Sequence, residues 1–297
     1  MSKERVLAEM ARRGVDALLL GREGNARYVS GAHRLFLASE RAFAPGCAVV
    51  AETGAVHVLS LTEFGMPEAI PRDNLYPPSW NPATLVGRVA AIPGVRGAQR
   101  VGVDGLTPLF EALLVAALPN AEFVDGEAVM REARRIKSAE EVGQIRAAAE
   151  IANAMLTAAL DAVGAGLDDG AIKAIAMQAM AAHGVTTAAF EPLVTRDGER
   201  VTVAVGVLRD GWEADLTRTV AGPVRPDELL AAIARCRAGA AVEDLGADAH
   251  GVGLGYEVVS PGAVLEPGMV LSVGARGARD VVLVTNDEPE ALTPPTL

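Results

Sequence analysis

Apolar residues recur every three to four positions in some stretches of this chain and every two in others, and the change of period marks out its organisation. Residues 4 to 13 carry the helical period, and Val15-Asp16-Ala17-Leu18-Leu19-Leu20, ending at Gly21, predicts a buried strand. Cys47 to Val50 and Ala55 to Leu59, joined through Glu52-Thr53-Gly54, predict a hairpin. Arg100 to Val103 and a helical stretch over 107–118 add one more strand and helix. Helix alternating with strand predicts an α/β domain over residues 1–125.

Ser138-Ala139-Glu140-Glu141 is a capping box, in which the serine hydroxyl and the Glu141 carboxylate satisfy the free amides of a helix start. The helix it opens presents Ile145, Ala149, Ala152, Leu156 and Leu160 on one face and stops at Gly164-Ala165-Gly166. A second helix is expected from Asp169 to Ala182, ending at Gly184. Arg131, Arg134, Arg135 and Lys137, interleaved with glutamates, read as a solvated linker rather than a binding patch. Further on the period falls to two. The turn pairs Asp197-Gly198, Asp210-Gly211, Pro261-Gly262 and Pro267-Gly268 separate Val-rich runs, which predicts an antiparallel meander broken by a helix over Pro226 to Gly239. Residues 126–297 are therefore expected to form an α+β domain.

With 297 residues, half of them hydrophobic, the chain can bury two cores, and 4% aromatics means those cores are built from Ala, Val and Leu. The net charge of −11 argues against nucleic acid and anionic membrane surfaces as partners. An amphipathic start, Met1-Ser2-Lys3-Glu4-Arg5, and the lack of any long apolar window predict a cytoplasmic protein without a membrane span. Cys47 and Cys236 have no metal or redox spacing and are expected to be reduced and structural.

Ile136-Lys137-Ser138-Ala139-Glu140-Glu141, followed by Ile145-Arg146-Ala147-Ala148, resembles the opening helix of the catalytic domain in the creatinase, aminopeptidase P and prolidase family. Four further stretches resemble its motifs: Asp210 to Thr219, His250-Gly251-Val252-Gly253, Gly268 to Val273, and Asp280 to Thr285. Asn25 to Gly31 resembles a short loop in the N-terminal domain of prolidase-like members. The resemblance covers nearly the whole chain. It implies a pita-bread C-terminal domain behind a smaller α/β domain, and a homodimer.

In the family's peptidases two aspartates, one histidine and two glutamates hold two divalent metals that lower the pKa of a bridging water. The resemblance puts Asp215 and His250 at two of those positions, and Ala204, Gly274 and Arg279 at the other three. Two ligands fall short of the three that a catalytic zinc site uses. Arg279 also adds repulsion of order 4 kcal/mol per unit charge at about 4 Å and an effective dielectric near 20, doubled for a dication. Neither metal nor cofactor is expected. The turn between Phe190-Glu191-Pro192-Leu193-Val194 and Val201 is also short, lacking a segment that carries another active-site histidine in relatives, and the stretch from Thr219 to His250 is short by about one helix.

What remains for chemistry is His250, whose ordinary pKa near 6.5 suits proton transfer, with Asp215 and Glu257 as carboxylate partners. Arg218, Arg279, Trp212 and His33 are the candidate substrate-binding residues, an arginine holding an anionic group of a small molecule. Each has a plainer alternative: His250 as a leftover strand residue, Asp215 paired to Arg279 in place of metal, Glu257 on an exposed strand, Arg218 and Trp212 packed structurally, His33 on a surface loop. His57 and His183 are expected to be structural. Three functions follow. The first is a metal-independent enzyme acting on a small amino-acid-derived substrate, the second an inactive pseudopeptidase that binds a ligand or partner, and the third a residual metallopeptidase.

Overall fold

Helix α1 (Ser2–Arg13) leads into β1 (Ala17–Leu20), whose four apolar residues are all buried. The antiparallel hairpin β2 (Cys47–Val50) and β3 (Ala55–Leu59) forms with the expected bounds, and β2 pairs with β1. The computed structural model describes residues 2–32, 44–60, 65–220, 223–260 and 262–293. The chain divides into two compact units, Met1–Arg134 and Arg135–Leu297.

In the first unit, helix α2 (Glu23–Ser30) follows β1, and β4 (Leu75–Tyr76), α3 (Pro82–Ala90), β5 (Arg100–Val103), α4 (Pro108–Ala117), β6 (Glu122–Asp125) and α5 (Gly126–Arg135) complete the set. The strands make one mixed sheet in the order β4-β3-β2-β1-β5-β6. Leu19, Val50, Val101, Leu85, Val89, Phe110 and Leu114 close its core. Two segments differ from the sequence reading. Asn25 to Ser30 is helical rather than a loop: Asn25, Ala26, Tyr28, Val29 and Ser30 are buried, and Gly31 ends the helix with φ 65. The arginine-rich stretch is helix α5 rather than a linker, because Val129, Met130 and Ala133 recur at helical spacing and are buried beneath the charges. The Arg134 guanidinium donates to Asn25 Oδ1 at 2.6 Å and lies 5.8 Å from the Tyr28 ring centre.

The second unit opens with α6 (Ala139–Gly164), and both halves of its capping box form. Helix α7 (Asp169–Ala182) follows, capped by Asp168. Then come β7 (Leu193–Asp197), β8 (Arg200–Arg209) and β9 (Trp212–Val220), joined by tight turns at Asp197-Gly198 and Asp210-Gly211. Helix α8 (Asp227–Arg235) is shorter than expected, since Cys236 leaves helical geometry with ψ 56. The rest is β10 (Asp248–Gly253), β11 (Gly255–Glu257), β12 (Val270–Ala275), β13 (Ala278–Leu283) and β14 (Glu290–Ala291). These strands form one eight-stranded sheet in the order β11-β10-β12-β13-β9-β8-β7, with β14 on β13. The period-two valines Val201, Val203, Val205 and Val207 and their neighbours Ala214 and Leu216 pack with Ile145, Ala149, Ala152 and Leu156 of α6. That face is dry. The opposite face of β9 carries Glu213 and Asp215.

Candidate active site

Strand pairing brings five positions of interest onto one face of the sheet. Ala204 pairs with Thr217, Thr217 with Arg279, Arg279 with Gly274, and Gly274 with Asp248, so this cross-strand row points one way. Asp215 lies two residues before Thr217 on β9, and the His250–Ser272 pair lies two residues along from Asp248 and Gly274. By period two, all of them share the face. Ala204, Asp215, His250, Gly274 and Arg279 are thereby neighbours.

Arg279 organises the row. Its Nη1 donates to Ser272 Oγ at 3.0 Å and the Ser272 carbonyl at 3.3 Å, and its Nη2 donates to Asp248. Gly274 makes room for it: a Cβ there would lie 2.6–2.9 Å from three guanidinium atoms. The missing side chain at Gly274 and the guanidinium from its cross-strand partner are therefore complementary. Arg279 Nη1 also stands 3.3 Å from His250 Nδ1. A guanidinium only donates, so Nδ1 accepts and the proton of the neutral ring sits on Nε2.

That Nε2 faces Asp215 Oδ1 at 3.7 Å, and both atoms are buried without a hydrogen-bond partner. Asp215 is only 5% exposed. Its other oxygen, Oδ2, faces Arg279 Nε at 3.6 Å. Tyr256 stacks on the imidazole with ring centres 4.7 Å apart. Burial holds the His250 pKa below its usual range, opposed by the Asp215 charge and reinforced by Arg279. The ring is thus neutral at physiological pH.

Glu213 joins this pair. Its carboxylate, Asp215 and His250 each offer an atom within 4.8 Å of the others. Burial pushes the Glu213 pKa up to about 7, with the charges of Asp215 and Glu257 adding to the effect. Glu257 itself is held by Lys137, Nζ to Oε2 at 2.5 Å, and the Lys137 side chain is 3% exposed. Gly253 lets that pair close, since a Cβ there would lie 2.1 Å from Glu257 Oε1.

Of the sequence-derived candidates, Asp215, His250 and Arg279 meet directly, and Glu257 reaches the group through its charge on Glu213. Arg218 points from the other face of β9: Nη1 donates to the carbonyls of Thr217 and Arg279, and Nη2 to Asp280 Oδ1 at 2.6 Å. There it bridges β9 and β13, which share a single register pair. Trp212 packs against the α6–α7 core, also away from Asp215. His33 lies outside the described residues. Glu213, Asp248, Tyr256 and Lys137 were not anticipated. A period-two reading finds Glu213 and Asp248, each two residues before a motif residue on its own strand. No local signal points to Lys137.

Residues 3–136 match the family profile of the Creatinase/Prolidase N-terminal domain. No curated protein matches the chain in sequence. Among solved structures, the prolidase from Pyrococcus furiosus superposes with a TM-score of 0.78 at 18% identity, over 99% of each chain. The Xaa-Pro dipeptidase from Bacillus anthracis gives 0.76 at 21% identity, over 98% of this chain and 96% of that one. The X-Pro aminopeptidase from Thermotoga maritima MSB8 gives 0.72 at 14% identity, over 97% of each. The first domain belongs to the creatinase/prolidase N-terminal family, and the chain as a whole has the fold of the creatinase, aminopeptidase P and prolidase family, with a pita-bread domain second.

Proposed function

We propose that this protein is a metal-independent acid–base enzyme on the prolidase fold, acting on a small amino-acid-derived substrate. One observation carries the reading: a buried imidazole whose Nδ1 is occupied by Arg279 and whose Nε2 confronts an equally unpartnered Asp215 oxygen. Buried polar atoms without partners are rare in folded proteins and cluster where a ligand completes them. A neutral His250 offers its Nε2–H as a proton donor to a bound substrate, and Glu213, whose pKa burial pushes up to about 7, serves beside it as the base when ionised.

A pair of divalent metals does not fit these residues. Ala204 and Gly274 offer no ligand atom, and the Arg279 guanidinium lies across Gly274. A metal-bound histidine presents one bare nitrogen and donates its other N–H to an acceptor. Here the other nitrogen meets a donor instead.

The relatives' names set the first substrate panel, Xaa-Pro dipeptides, extended to small amides and N-substituted amino acids. Turnover should persist in chelator and fall about 100-fold or more in His250→Ala with the fold intact by circular dichroism. Activity that vanishes in chelator and returns with metal would sink the proposal. The second reading, a binding protein without catalysis, is favoured by the loss of side chains at Ala204 and Gly274. It predicts ligand binding with no turnover on any member of the panel.

A further inference from the structure

We infer that the acidic end of this site takes a protonated amine, so that the ligand of the Glu213–Asp215–His250 group is a small ammonium compound rather than a carboxylate. The expectation that Arg279 grips an anionic group meets a difficulty of donors. Nη1 is turned to Ser272 and His250 Nδ1, Nη2 to Asp248, and Nε toward Asp215. An incoming carboxylate would find one Nη2 N–H outside these contacts and would settle beside Asp248, Asp215 and Glu213, against like charge.

The site presents two carboxylates, Asp215 and Glu213, and its buried unanswered donor, His250 Nε2–H, already faces Asp215 Oδ1. Asp215 is 5% exposed, and its Oδ1 accepts no hydrogen bond, with His250 Nε2 standing off at 3.7 Å. A Glu213 oxygen lies within 4.8 Å of the same cluster. Two oxygens at that separation can both stand about 2.8 Å from one nitrogen, the distance of a charge-assisted hydrogen bond. An ammonium brings three donors and no acceptor, which is what two carboxylates lack. A metal ion would need the Nε2 lone pair, which the Arg279 contact assigns to a proton.

The inference deepens the proposed function and depends on it for its consequence, an amine held within reach of His250. Binding is measured without turnover, so the two can fail separately. The probe is n-butylammonium, titrated calorimetrically into the full chain at pH 8 beside n-butanol and butyrate. Butylammonium should bind about ten-fold or more tighter than either, and Asp215→Asn and Glu213→Gln should each remove that preference. Both replacements keep the side-chain shape, and thermal melts report whether each variant is folded. Equal binding of amine and alcohol, preference for butyrate, or an unchanged preference in both variants overturns the inference. So does stoichiometric zinc binding to the purified protein that is lost in those same variants. Amine binding together with full turnover in His250→Ala would leave the inference standing and remove the catalytic reading. Turnover that needs His250 with no amine preference would do the reverse.

Discussion

Asp104 in the first domain and Asp215 in the second are both 5% exposed, yet their surroundings are opposite. Asp104 Oδ1 accepts from the Gly21 amide at 2.7 Å, and Oδ2 accepts from the Arg22 amide at 3.0 Å and Asn25 Nδ2 at 2.9 Å. It staples the end of β5 to the turn that starts α2. Asp215 Oδ1 accepts from nothing. Burial raises the Asp104 pKa to about 6 against the pull of those donors, so even a fully bonded carboxylate carries a desolvation cost. A fold that bears such a cost for Asp104 obtains a fixed turn. Asp215 gains only the looser contacts to Arg279 and His250, at 3.6 and 3.7 Å, and keeps its capacity to accept hydrogen bonds for a ligand.

The same substitution in the two places tests this most sharply. Asp104→Asn puts an amide NH2 in place of one carboxylate oxygen, so at least one buried donor then faces another donor. The expected loss is about 3–4 kcal/mol at pH 8, read from urea unfolding. A loss under ~1 kcal/mol would mean that the three hydrogen bonds do not define the β1–α2 turn, and the contrast with Asp215 would collapse.

Glu213 gives a smaller effect with a pH signature. Its folded pKa of about 7 lies above the ordinary 4.5, so the native state holds its proton more tightly than the unfolded chain. The stability linked to this group is fully present below pH ~4.5 and is lost as pH rises through about 7. Wild type should therefore lose about 2–3 kcal/mol relative to Glu213→Gln between pH 5 and pH 8, at 1.36 kcal/mol for each pH unit within the window. Asp104 titrates in both proteins and cancels from the difference. A difference that does not change with pH would show Glu213 to be hydrated rather than held in the dry cluster.

Much of this frame could be read from the chain, and the failures have physical causes. Ser138 and Glu141 announce α6 because a capping box is a local arrangement, and the valines of β8 announce a strand because one face is buried. Helix α5 was hidden by its arginines, although Val129, Met130 and Ala133 carry the helical period underneath. In the site, Asp215 and His250 stand in motifs. Glu213 stands at none of the motif's ligand positions, while strand alternation places it beside Asp215. The Lys137–Glu257 pair joins residues 120 positions apart, a contact that only the folded sheet creates. Arg218 looks like a binding residue in sequence because its motif is shared with Asp215. Its odd spacing of three residues from Asp215 along β9 turns it to the other face, toward a buried Asp280.

The smallest effect expected is also the most telling, because it has the opposite sign. Asp215→Asn removes a buried charge whose Oδ1 bonds to nothing and whose Oδ2 stands 3.6 Å from Arg279 Nε. The Coulomb attraction to the guanidinium is lost, but so is the desolvation cost, and Arg279 keeps Asp248 and Ser272 as partners. The amide can also accept from His250 Nε2–H through its oxygen without like-charge repulsion from Glu213. Stability should change by less than about 1 kcal/mol, toward greater stability, as groups held for a ligand often cost the fold something. Denaturant unfolding of Asp104→Asn and Asp215→Asn side by side measures it. If Asp215→Asn instead costs as much as Asp104→Asn, then Asp215 is a staple to Arg279, and the site has no acceptor waiting for a substrate.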